Sequence, residues 1–201
     1  MERIAEIHRV TKETDVRLKL NLDGRGEANL HYPIGFMGHL LTAFARHGLF
    51  DAELRAVGDL DVDQHHLVED TGIVLGQAFA QALGERRGIR RVGYCILPMD
   101  ETLVRVSADL SGRAFLAFQA DLSNLPLVSG TASFQTDTIE DFWQGFAVAG
   151  GVNLHLDVLR GRSDHHKIEA LFKAAARALR DAAEIDPRAP DLIPSTKGVL
   201  V

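Results

Sequence analysis

The cluster His-His-x-x-Glu occurs twice in this chain, at residues 65–69 and 165–169, each time opening a stretch with helical periodicity. A fold that presents one helix start twice is a duplicated fold, and the surrounding pattern agrees. In the first half, apolar and polar residues alternate through Val16, Leu18, Leu20 and Leu22. Asp23-Gly24 supplies a turn, and a further strand is expected near 27–31. A helix over 36–47, closed by Gly48, precedes a strand over 52–57, an acidic loop over 59–64 and a helix over 65–83 closed by Gly84. The second half repeats the order, with strands expected near 91–97, 102–110 and 114–120 and breaks at Pro98-Met99-Asp100 and Ser111-Gly112. A helix over 139–149, a strand over 152–159 and a long helix over 164–183 complete it. The fold class predicted is α+β: two duplicated halves, residues 1–88 and 89–185, each a four-stranded sheet backed by two helices. Residues 186–201, with three prolines, form a tail.

The repeated cluster has the composition of a metal site. On a helix, Glu69 lies one turn from both His65 and His66, whereas adjacent histidines diverge by about 100° around the axis. One helix therefore cannot aim both rings at one ion. The economical solution gives the two histidines of each pair to different metals, each site being completed by the other half or by a neighbouring subunit. His39 precedes His65 by 26 residues and Asp141 precedes His165 by 24, both on the preceding helix, so they stand as equivalents. The set is His39, His65, His66, Glu69, Asp141, His165, His166 and Glu169, four ligands for each of two ions. Mixed imidazole and carboxylate donors without thiolate exclude a structural cysteine zinc site and suit manganese or iron at least as well as zinc.

Other features are bland. The chain has 22 basic and 28 acidic residues and no basic block, which argues against nucleic acid or an anionic membrane as partner. Its 46% apolar content suffices for a core, and neither a signal-peptide core nor a bilayer-length apolar run is present, so a soluble, cytoplasmic protein is expected. Cys95, the single cysteine, reads as a small core residue. His8, His31 and His155 lie in strand-like segments without an acidic partner at ligand spacing and read as ordinary strand histidines. Gly24-x-Gly26 lacks dinucleotide-binding spacing and reads as a hairpin turn. Arg86-Arg87 and Arg90-Arg91 are either a solvated charged run or a binding patch.

The chain resembles the imidazoleglycerol-phosphate dehydratase family over nearly its whole length. The matching stretches are Thr11-Lys12-Glu13-Thr14, Asn21-Leu22-Asp23-Gly24, His47-Gly48-Leu49-Phe50-Asp51, Gly58-Asp59-Leu60, the His65–Asp70 cluster and Leu110-Ser111-Gly112-Arg113. In the final third they are His165-His166 through Glu169, Phe172-Lys173-Ala174, Ala176-Arg177-Ala178-Leu179 and Pro194-Ser195-Thr196-Lys197-Gly198. The resemblance implies dehydration of imidazole glycerol phosphate to imidazole acetol phosphate in histidine biosynthesis, with two Mn2+ ions per site and a 24-subunit shell with active sites at subunit contacts. It implies that Arg91, Arg113, Ser195 and Lys197 hold the substrate phosphate. Glu13, His39, His47, His65 and Lys173 are also implied to contact substrate, and Glu13 and Glu169 to be catalytic, with Glu13 moving protons. Two departures stand out. Gly38 replaces the aspartate that many members place before the first ligand histidine, and Asp141 replaces histidine or glutamate. The chain also lacks the phosphatase domain of bifunctional relatives, so one reaction is expected. Competing readings are a metal-binding shell without catalysis, and a different metal-dependent lyase or hydrolase acting on a phosphorylated heterocycle.

Overall fold

A computed structural model describes residues 2–123, 125–129 and 132–200. Val201, the end of the expected tail, lies outside the described residues, as does Met1. The first half comprises β1 (Ile4–Val10), β2 (Thr14–Asn21), β3 (Ala28–His31), α1 (Gly35–Gly48), β4 (Asp51–Gly58) and α2 (His65–Leu83). The second comprises β5 (Val92–Met99), β6 (Thr102–Asp109), β7 (Phe115–Gln119), β8 (Leu127–Ser129), β9 (Ala132–Phe134), α3 (Thr138–Gly150), β10 (Asn153–Arg160) and α4 (Asp164–Ala183). The two main sheets have the same topology, β1-β2-β4-β3 and β5-β6-β10-β7. In each, the last strand pairs parallel to its neighbour and the rest are antiparallel. Duplication is thus realised strand for strand.

Strand β2 alternates strictly, with Val16, Leu18 and Leu20 buried and Asp15, Arg17 and Lys19 exposed, which leaves one face of its sheet to the helices. The helices of one half pack on those of the other, α2 against α3 and α1 against α4, so both halves share one core. Trp143, Phe142, Phe146, Phe172, Phe50 and Phe79 fill it. The α2–α3 approach is close enough to require glycine. A Cβ on Gly72 would lie 2.1 Å from the Phe142 carbonyl oxygen, and one on Gly76 would lie 2.5 Å from that of Phe146.

Two readings of the sequence need correction, and one pair of strands is added. The Gly24-x-Gly26 segment is not a hairpin turn, because β2 and β3 do not pair with each other; both flank β4. The loop instead folds over the start of β4, where the Asp51 carboxylate accepts the Arg25 and Glu27 N–H groups and Gly26 takes φ +83°. Strand β5 runs on through Pro98 to Met99 rather than stopping before it. It is an edge strand, where the missing N–H of proline costs no ladder bond. The antiparallel pair β8–β9 is the addition, since three-residue strands lie below what alternation can reveal.

Candidate functional site

The starts of α2 and α4 are fastened by polar contacts that aim their histidines. Ser163 caps α4, its hydroxyl accepting the His166 N–H, and the buried Asp164 carboxylate accepts the backbone N–H and the hydroxyl of Ser123 and pairs with Lys167. At α2, Asp63 accepts the His65 N–H. Gln64 and Gln135 exchange backbone-to-side-chain bonds of 3.1 Å in both directions, tying the start of α2 to the segment before α3. That reciprocal pair brings α3 alongside, and Asp141 comes with it.

Two clusters result, each drawn from both halves. His39 on α1 lies 3.3 Å from Glu169 on α4, which also meets His165 at 3.2 Å, and the three donor atoms lie within 4.8 Å of one another. This cluster opens onto a groove of about 970 Å³ bordered by Phe36, Gln64 and Phe134. In the second, His65 lies 3.3 Å from Asp141 on α3 through Nδ1 and 3.8 Å from Glu69 through Nε2. His39 and Asp141 therefore stand in corresponding places, as their spacing implies. Burial alone would raise the pKa of Glu169, but hydrogen bonds with Lys173 and His39 outweigh it and hold the carboxyl below its usual range. Lys173 approaches that carboxylate to 2.7 Å.

The other member of each pair turns away. The His65 and His66 rings stand at 81°, and those of His165 and His166 at 88°. His66 meets Asp59 at 3.0 Å through Nδ1, with Glu13 at 3.9 Å from the same nitrogen. The Asp59 bond raises the His66 pKa. His166 meets Glu101 at 2.8 Å, also through Nδ1. That bond, with the Ser163 N–H, lowers the Glu101 pKa to about 2. Glu101 and Asp59 were given no role from sequence. The signal was present, because Glu101-Thr102 opens β6 as Glu13-Thr14 opens β2.

The remaining predicted residues lie elsewhere. His47, at the end of α1, accepts a 3.4 Å bond from Arg177. Its pKa is lowered by partial burial and by the Arg177 and Lys173 charges. Arg91 forks onto Asp109 at 2.7 and 3.0 Å and donates to the Pro194 carbonyl, which places it beside Ser195 and Lys197 of the tail. Arg113 is exposed after the turn that ends at Gly112. The backbone N–H of Arg91 bonds Ala182, seventeen residues along α4 from His165, so Arg91 sits about 25 Å along that helix from the His165 cluster of its own chain.

Arg86 is a structural residue, its guanidinium donating to the Leu110, Gly150 and Gly151 carbonyls. Arg87 pairs with Glu85 and Arg90 with Asp181 and Glu184. His8 does have an acidic partner, since Asp15 across the β1–β2 hairpin approaches its Nε2 to 2.8 Å; linear spacing hides cross-strand neighbours. Cys95 is only partly buried, against the core.

The family model for imidazoleglycerol-phosphate dehydratase matches residues 32–179, which include both helix-start clusters. The chain belongs to the imidazoleglycerol-phosphate dehydratase family. Relatives bearing that name include the protein of Gluconacetobacter diazotrophicus, 52% identical over 198 residues and 98% of each chain. That of Lacticaseibacillus casei is 54% identical over 98% of this chain and 100% of its own. Among solved structures, the imidazoleglycerol-phosphate dehydratase of Staphylococcus aureus superposes with a TM-score of 0.80 at 34% identity, covering 91% of this chain and 99% of that one. The dehydratase of Pyrococcus furiosus also gives 0.80 at 34% identity, over 96% of this chain and 100% of its own. Membership makes the chain a hydro-lyase of histidine biosynthesis acting on a phosphorylated imidazole. Among the described residues, no helix is long and apolar enough to cross a membrane.

Proposed function

We propose that this dehydratase depends on two Mn2+ ions per site and converts imidazole glycerol phosphate to imidazole acetol phosphate, in the cytoplasm, as a 24-subunit assembly. The observation that carries the metal reading is the convergence of His39, His165 and Glu169 from opposite halves. The donor set, imidazole with carboxylate and no thiolate, suits manganese. His65, Glu69 and Asp141 would supply the second set, with Asp141 at Nδ1 and Glu69 at Nε2 of the same ring, so one carboxylate would serve each nitrogen. His66 and His166 turn away from both sets, which supports their donation to the sites of neighbouring copies. When bound, the ions would supply Lewis acidity and a template for the imidazole and a substrate hydroxyl.

The chain's own residues do the rest. Arg91, Arg113, Ser195 and Lys197 hold the phosphate, with the bidentate reach of guanidinium suited to a dianion. Because Arg91 sits about 25 Å along α4 from the His165 cluster of its own chain, a substrate the size of a phosphorylated imidazole would touch both where two copies meet. Self-association is thus part of the site. His47 and Lys173 line the substrate path, Lys173 also fixing Glu169. Glu13, exposed beside His66, moves the carbon-bound proton as hydroxide departs, and Glu169 assists from the other cluster. The two leaving groups together make water.

The test is turnover by metal-stripped protein titrated with Mn2+, with bound metal and assembly mass measured in parallel. Product formation that rises with manganese and disappears with chelator is expected. Undiminished turnover by protein free of metal would refute the metal reading, and full activity in a monomer would refute the shared site.

A further inference from the structure

Resting on the metal reading above, we infer that Asp59 and Glu101 are positioning residues that hold His66 and His166 by Nδ1 and so present Nε2 of each ring as the ligand atom. An ionised carboxylate only accepts, so each of these bonds puts the ring hydrogen on Nδ1 and the lone pair on Nε2, the form a metal takes. Nε2 of His166 has the exposed Asp100 carboxylate at 3.9 Å, beyond hydrogen-bond distance. Both residues are themselves anchored. The second oxygen of Glu101 accepts the Ser163 N–H at 3.0 Å and the Arg162 N–H at 3.3 Å, and the Asp59 N–H donates to the Glu13 carbonyl at 3.1 Å.

The two halves reach this arrangement by different routes. Glu13 and Glu101 are positional equivalents, each preceding a buried threonine that opens a strand. Gly58 and Gly161 are equivalents too, each beside the strand-opening threonine and facing the helix residue two after the first histidine, Leu67 or Lys167, so Asp59 corresponds to Arg162. In the second half the cationic Arg162 stands in the place of Asp59 and offers no acceptor for the Nδ1–H of His166, so Glu101 holds that ring. In the first half Asp59 holds His66, leaving Glu13 beyond hydrogen-bond distance at 3.9 Å. The duplicated glutamate has divided its work: one copy orients a ring, and the other is free to move a proton.

Calorimetric titration of the metal-stripped full-length chain with Mn2+ tests this, with folding followed by circular dichroism and assembly by light scattering. The expected result is two ions per chain in wild type. Glu101→Ala and Asp59→Ala should each weaken one of the two by roughly 10–100-fold. Glu101→Gln keeps an acceptor for the Nδ1–H and should retain most of the affinity, and Glu13→Gln should bind as wild type does. Wild-type affinity for both ions in Asp59→Ala or in folded Glu101→Ala would overturn the inference, as would a loss in Glu13→Gln equal to that in Asp59→Ala. If Glu101→Ala fails to fold, the Asp59→Ala and Glu101→Gln titrations decide. Wild type that binds no Mn2+ overturns the metal reading itself, a result distinct from variants that bind normally.

Discussion

Replacing Gly72 with alanine tests whether the contact of α2 with α3 sets the second cluster. The new Cβ would start 2.1 Å from the Phe142 carbonyl oxygen and 3.0 Å from Phe142 Cα. Cβ atoms essentially never approach closer than 3.0 Å, so the helices must part by at least the difference between 2.1 and 3.0 Å. The obstacle is backbone, which cannot turn aside as a side chain could. Overpacking of this kind costs about 1–3 kcal/mol, here near the upper end, while exchanging a helical glycine for alanine returns about 1 kcal/mol. The net loss is about 2 kcal/mol, or roughly 4–8 °C in melting temperature for a chain of this size. Asp141 is the residue before Phe142, so the same movement stretches its 3.3 Å contact with His65 past 4 Å, and one Mn2+ site per chain weakens. Gly35→Ala is the control, since nothing lies within 4 Å of its Cβ position. Differential scanning calorimetry and Mn2+ titration of the two variants provide the comparison. A Gly72→Ala protein that melts with wild type and binds two ions normally would show that the close approach does not set the cluster.

Arg86→Ala should lower stability by about 2 kcal/mol, because three carbonyls at the end of α3 and before the β6–β7 turn lose a charged donor; metal affinity should hold, as read by urea unfolding and Mn2+ titration. Glu13→Gln should cut turnover at least a hundredfold with metal content unchanged, and an unaltered rate would remove Glu13 from proton transfer. Glu101 and Asp186 are both held at about 2, by His166 and Arg188 respectively, so each contributes stability that is complete above the ordinary carboxylate range and lost as pH falls through about 2. The urea midpoint of metal-stripped protein should therefore drop from about pH 5 downward, and Glu101→Gln with Asp186→Asn should flatten that drop; an unchanged acid limb would contradict the assignment.

The duplicated order of elements is legible because its signals are local: alternation through Val16, Leu18 and Leu20, glycine at the end of α1, α2 and α3, and a motif repeated at one place in the pattern. Sheet order was not legible. Nothing in residues 22–27 says that β3 will lie beyond β4 rather than beside β2, since that choice is made by Asp51 capturing the loop's N–H groups. The ligand residues could be named from spacing, but their grouping could not. His39 joins Glu169, and His65 joins Asp141, through helix packing across the halves, at separations of 130 and 76 residues. The roles of Asp59 and Glu101 are not legible in sequence because their partners are reached through folded geometry, although Glu101-Thr102 parallels Glu13-Thr14.

The crossing of α1 with α4 and of α2 with α3 has the form of an isologous contact between two half-length chains, now joined by the segment between α2 and β5. A free half-chain would have to meet its own copy to assemble either cluster, and both clusters would then be identical by symmetry. Covalent fusion lifts that constraint. A change at one position no longer forces the same change at the other, and His39 facing Glu169 while Asp141 faces His65 is that freedom used: one cluster carries an imidazole where its twin carries a negative charge.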